Sequence, residues 1–205
     1  MKNLNKNFTL MLLGRSGCGK GTQARMVLER LKKTKPIHFE TGQHLRRLLK
    51  THHNATIEIG KKLMGQGRFF PYWMVDYLLV REVVEKGIAD RPWVFDGFPR
   101  HTKQVWFVED IIAWHSRLPA LCIYIKLDEK EATKRLLGRG RKDDKTQLIK
   151  NRMEFFKTDV LPVIDFYRKE RRLIEVDGSK PAQEVFVNTD KALRKRLGKL
   201  WPYKS

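Results

Sequence analysis

Phe8-Thr9-Leu10-Met11-Leu12-Leu13 is a mostly apolar run that reads as a buried strand, and a turn dense in glycine follows it at once. From Gln23 to Leu31 the apolar residues recur with helical spacing. Glycines at 14, 17, 19 and 21 let backbone N–H groups converge without Cβ interference where that helix begins, which is the geometry of a phosphate socket. Lys20 adds a mobile positive charge for outer phosphates, and Thr22 a hydroxyl close to any magnesium they carry. A glycine-rich turn holding no ligand is the competing reading.

The spacing Gly14-x4-Gly19-Lys20 fits the P-loop, except that Gly21 stands where Ser or Thr is usual. The ending Gly19-Lys20-Gly21-Thr22-Gln23 resembles the adenylate kinases and related nucleoside monophosphate kinases. A second stretch tests that likeness. Trp93-Val94-Phe95 reads as a strand and leads into Asp96-Gly97-Phe98-Pro99-Arg100, where Gly97 and Pro99 shape a tight turn that aims Arg100 back over the strand ends. The pentapeptide is similar to the Asp-Gly-Phe-Pro-Arg motif of adenylate kinases.

The rest of the chain is an alternation. Strands are expected at Ile37–Glu40, Leu121–Leu127 and Leu173–Val176, and helices at Thr41–Leu49, Ala55–Met64, Trp73–Lys86, Thr102–Ser116, Glu129–Leu137 and Pro181–Leu197. One long helix is expected from a capping box at Asp144-Lys145-Thr146-Gln147 to about Lys169, kinked at Pro162. This order implies an α/β fold, a P-loop three-layer α/β/α arrangement on a five-stranded parallel sheet. One domain is expected over 1–205, with a small helical insertion at 40–70 for the monophosphate and a short lid at 138–145.

Phosphoryl transfer asks the protein for positioning and positive charge more than for covalent chemistry, so arginines should arrive from several elements. Arg135 and Arg139 share a helix face, although Glu131 is placed to pair with the first. Leu148, Arg152 and Phe156 recur at i, i+4, i+8, which puts a guanidinium on an apolar stripe. The resemblance implies further roles. Gly17, Cys18, Gly19, Lys20, Gly21 and Thr22 would cradle ATP, with Arg135 and Arg139 on its phosphates and base and Lys180 flanking the adenine. Thr41, Arg46, Met64, Arg68, Phe69 and Phe70 would hold AMP together with Gly97, Phe98, Pro99, Arg100 and Gln104. Arg141 and Arg152 would bridge the phosphate chains, making Lys20, Arg100, Arg135, Arg139, Arg141 and Arg152 the catalytic set. Asp96 would reach Mg2+ through water.

The chain departs from the family at Gln43, where an acidic residue is usual after Thr-Gly, and at Phe69 and Phe70, which replace smaller residues and should narrow the base pocket. The turn between Arg139 and Arg141 leaves no room for a long, zinc-binding lid, so Mg2+ with ATP is the expected cofactor and no zinc is expected. Gln104 argues for adenine as the acceptor base, since an amide can pair with both a donor and an acceptor. A UMP/CMP kinase of the same family remains the alternative, although His101 stands where that branch has Asn.

The formal charge of +20 on 205 residues implies an anionic partner, either phosphate-rich small molecules or nucleic acid. An RNA-binding P-loop protein is therefore the rival of a different class, but no interleaving of aromatic and basic residues supports it. ATP, AMP and ADP are the expected partners, with no specific nucleic acid and no membrane. Cys18 and Cys122 lie far apart, which offers no disulfide framework, and no stretch is apolar enough to span a bilayer. A cytoplasmic monomer is expected.

Overall fold

In the computed structural model, described over residues 7–66, 70–86, 91–140 and 145–202, five parallel strands run in the order β2-β3-β1-β4-β5. They are β1 (Thr9–Leu13), β2 (Ile37–Glu40), β3 (Trp93–Asp96), β4 (Leu121–Lys126) and β5 (Leu173–Asp177). The helices are α1 (Lys20–Leu31), α2 (Thr41–Thr51), α3 (Ala55–Gly65), α4 (Tyr72–Lys86), α5 (Thr102–Trp114), α6 (Glu129–Arg139), α7 (Thr146–Phe155), α8 (Leu161–Lys169) and α9 (Ala182–Leu197). The expected alternation therefore stands, with ends shifted by a few residues.

Strand side chains alternate between two cores. Met11, Leu13, Phe39, Phe95 and Tyr124 face one side with buried residues of α2, α4, α5 and α8. Leu10, Leu12, Val94, Ile123 and Val176 face the other with α1, α6, α7 and α9. Both faces are covered, so the inner strands β1, β3 and β4 are largely apolar, while the edge strands β2 and β5 alternate apolar and polar residues. Among the described residues no helix is long and apolar enough to cross a membrane.

The long helix before β5 departs from expectation. Lys145 stands at the N-cap of α7 and its own side chain makes no capping bond; Asp144, the capping residue expected from the sequence, lies outside the described residues. The expected kink takes the form of a π-helical turn over Phe156–Val160, directly before Leu161 and Pro162. Proline offers no N–H to the preceding turn, so the wider turn stands where that bond is missing. The buried stripe consequently runs Ile149, Met153, Phe156 and Val160, and Arg152 stands half-buried beside it rather than on it.

Candidate active site

The strand ends β1, β2 and β3 open onto a cavity of about 720 Å³. Its floor is the glycine loop between β1 and α1. Gly19 takes φ +93° and caps α1, with Thr22 and Gln23 N–H both donating to its carbonyl. Gly17 takes φ +86°, and a Cβ there would lie 2.5 Å from the Ala132 carbonyl oxygen, so only glycine lets the loop lie against α6. Lys20 Nζ donates back to the Arg15 carbonyl at 3.3 Å, and Thr22 Oγ1 accepts from Arg25.

The turn after β3 sets the second cation. Gly97 takes φ +73°, Arg100 Nε donates to its carbonyl at 2.6 Å, and Thr41 Oγ1 donates to the same oxygen at 2.8 Å. Phe98 is fully buried against Phe39 and Phe95, which anchors the turn to the core. Burial draws the Arg100 guanidinium down from its ordinary value; Asp96 opposes this and Arg152 adds to it. A cation held beside another cation is suited to an anionic ligand.

Most of the anticipated residues converge. Gly17, Gly19, Lys20, Gly21, Thr22, Thr41, Arg46, Met64, Phe70, Asp96, Arg100, Gln104, Arg135, Arg139 and Arg152 all line the cavity. A smaller recess beside it joins Gly97, Arg100 and Arg152 to Lys20. Arg68, Phe69 and Arg141 fall outside the described residues. Cys18 is buried under the loop, with its N–H donating to the Arg15 carbonyl. Pro99 is buried. Lys180 is exposed on the turn after β5, a turn that Arg135 ties down by donating to the Gly178 and Ser179 carbonyls. Arg135 also forms the pair with Glu131 that the spacing suggested, at 2.8 Å.

Two anticipated roles look different in place. Gln104 is buried, and its amide is engaged at both ends: Oε1 accepts from the Arg100 N–H at 3.0 Å and Nε2 donates to Asp76 at 2.7 Å. It holds the arginine turn while lining the cavity, and each end of the amide keeps a second hydrogen-bonding position. Burial pushes Asp76 up from the usual carboxylate value, and the bond from Gln104 opposes that. Phe70 packs over Gly60, where a Cβ would come within 2.8 Å of its ring, so it closes the gap between α2 and α3 as well as lining the cavity.

The sequence reading missed Glu40 and Arg15. Glu40 ends β2, lines the cavity and pairs with Arg46 at 3.2 Å. Negative charge absent at Gln43 thus enters from three residues earlier, and its signal was an acidic residue just before Thr41-Gly42. Arg15 lies 4.6 Å over the Phe156 ring and donates to the Leu127 carbonyl in the smaller recess. A variable position inside the glycine loop gives no signal for that.

Asp96 offers the oxygen donor a magnesium–nucleotide needs. It is 7% exposed and lines the cavity beside Gly21. Burial raises its pKa, and Lys20 opposes that shift. These features fit a hard cation held through water.

The adenylate kinase family profile matches residues 12–172. Adenylate kinase 1 of Nostoc sp. is 32% identical over 176 residues, covering 86% of this chain and 93% of that protein. An adenylate kinase of Prochlorococcus marinus is 32% identical over 189 residues, covering 90% and 97%. One from Azobacteroides pseudotrichonymphae is 34% identical over 187 residues, covering 86% and 92%.

Proposed function

Because this chain belongs to the adenylate kinase family, we propose that it transfers the terminal phosphoryl group of ATP to AMP, reversibly, giving two ADP. The observation that carries the reading is the convergence of cations from five places in the fold. Lys20 comes from α1, Arg46 from α2, Arg100 from the turn after β3, Arg135 and Arg139 from α6, and Arg152 from α7.

The glycine loop from Gly17 to Thr22 would cradle the ATP phosphates through backbone N–H groups, with Lys20 on the outer ones and Cys18 contributing backbone alone. Thr41, Arg46, Met64 and Phe70 would hold AMP beside Arg100. Arg100 and Arg152 would face the phosphoryl group in transit and stabilise charge that spreads over its oxygens. Lys180 would flank the adenine of ATP. The segment 40–70 would be the monophosphate-binding insertion and 138–145 a short lid, with Arg68, Phe69 and Arg141 acting from those segments. Mg2+, brought by ATP and approached by Asp96 through water, would neutralise charge on the bridging phosphates.

We place the enzyme in the cytoplasm as a monomer. Two widely separated, buried and unpaired thiols support a reducing setting. The excess positive charge would act as general electrostatics toward nucleotides.

Product analysis by phosphorus NMR tests the reading. Purified protein with Mg2+, ATP and AMP should give two ADP for each ATP and AMP consumed, and a zinc-selective chelator should change nothing. Release of inorganic phosphate with AMP untouched would overturn the proposal.

A further inference from the structure

Strand β2 carries two polar residues on one face. Ile37 and Phe39 point into the core shared with α2 and α4, so His38 and Glu40 project to the opposite side of the sheet. There Glu40 stands in register with Asp96 of the neighbouring strand. One donor atom from each of His38, Glu40 and Asp96 lies within 4.8 Å of the other two.

One of these groups is unsatisfied in a way that burial makes costly. His38 Nε2 is buried and has no hydrogen-bond partner among the described residues. Asp96 is 7% exposed and lines the cavity beside it. A buried polar atom left unpaired costs about 1–3 kcal/mol, and a bound ion is one of the ordinary ways to satisfy it. Glu40 keeps Arg46 at 3.2 Å through one oxygen, which leaves the other for a second partner.

We propose that His38, Glu40 and Asp96 together form a direct binding site for a first-row transition-metal ion such as Mn2+ or Co2+. Metal–donor bonds of about 2.0–2.2 Å place neighbouring donors roughly 3 Å apart, so the three side chains need close by only about an ångström or two. The donor set decides the metal. One imidazole nitrogen with two carboxylates suits ions that accept nitrogen, whereas Mg2+ prefers oxygen and water throughout and gains nothing from His38. The site shares Asp96 with the water-mediated magnesium position but adds two ligands that position does not use. Glu40 and Asp96 line the cavity while His38 stands behind them, so an ion held here keeps its open positions toward the phosphate cradle.

The metal alone tests this, without substrates, so its outcome is independent of the phosphotransfer reading. Nucleotide-free protein is titrated with Co2+ under equilibrium dialysis and visible absorption, in the presence of millimolar Mg2+. One Co2+ per chain should bind, and both His38→Gln and Glu40→Gln should weaken it by at least ~10-fold. Thermal melts check that the variants fold. If either does not, electron spin-echo modulation of the wild-type Mn2+ complex decides, and it should show one bound imidazole nitrogen. Binding well below one equivalent, displacement by Mg2+, equal affinity in both folded variants, or absence of nitrogen coupling would each overturn the proposal.

Discussion

At the scale of single residues, the account turns on which arginines act in the transition state and which hold the fold. Arg152 stands half-buried beside the apolar stripe of α7, and the recess it lines also holds Lys20 and Arg100. Arg152→Ala should lower kcat by ~10³-fold or more, since arginines that meet the transferring phosphoryl carry effects of that size. Nucleotide Kd should change far less, because the contact forms mainly in the transition state. Lys should not rescue it, lacking the planar fork that spans two oxygens. Single-turnover kinetics beside equilibrium binding read the two effects apart. Normal turnover in a variant that melts many degrees lower would make Arg152 a structural residue. Spacing set Arg152 on the apolar stripe when it stands beside it, and the motif could not show that the Arg100 N–H and Asp76 each engage one end of the Gln104 amide.

At the scale of elements, the inner strands were legible as short apolar runs and the helices by their apolar spacing, and the glycine loop was legible because its φ values exclude other residues. The strand order was not, since it depends on contacts between segments far apart in sequence. Nor was the π turn, where Pro162 perturbs a helix whose apolar spacing looks continuous. The anchoring of α9 was hidden for the same reason. Asp190 accepts from Trp201 Nε1 at 2.9 Å and pairs with Arg30 of α1 at 3.1 Å and Arg194 at 3.0 Å. Burial alone would push this carboxyl up, but the bonds from Trp201 and Arg194 and the charge of Arg30 hold it below the usual range. A depressed folded-state value means stability present above the unfolded value of about 3.9 and lost as pH falls through the folded one. Urea unfolding should therefore show Asp190→Ala destabilised by ~3 kcal/mol at pH 7, a buried pair having lost one partner. The gap should shrink below pH ~4. A gap independent of pH would mean that packing around Trp201, and not the charge, provides the anchor.

At the scale of the whole molecule, a chain of formal charge +20 gathers its functional cations around one cleft at the strand ends. Asp96 and Glu40 line the same cleft and offset part of that positive charge. Family membership and the cleft agree on phosphate chemistry, and the acceptor base is where they can be pressed hardest. Gln104 is internally engaged and Phe70 is packed between α2 and α3, so the pocket around the base is more closed than the motif alone suggested. A coupled assay with ATP and Mg2+ across AMP, GMP, CMP, UMP and dAMP measures this directly. AMP should exceed CMP and UMP by at least ~10-fold in kcat/KM, the scale of one hydrogen-bonding difference at a base edge. CMP or UMP turned over as well as AMP would contradict the acceptor assignment, and no transfer to any of the five would contradict the account as a whole.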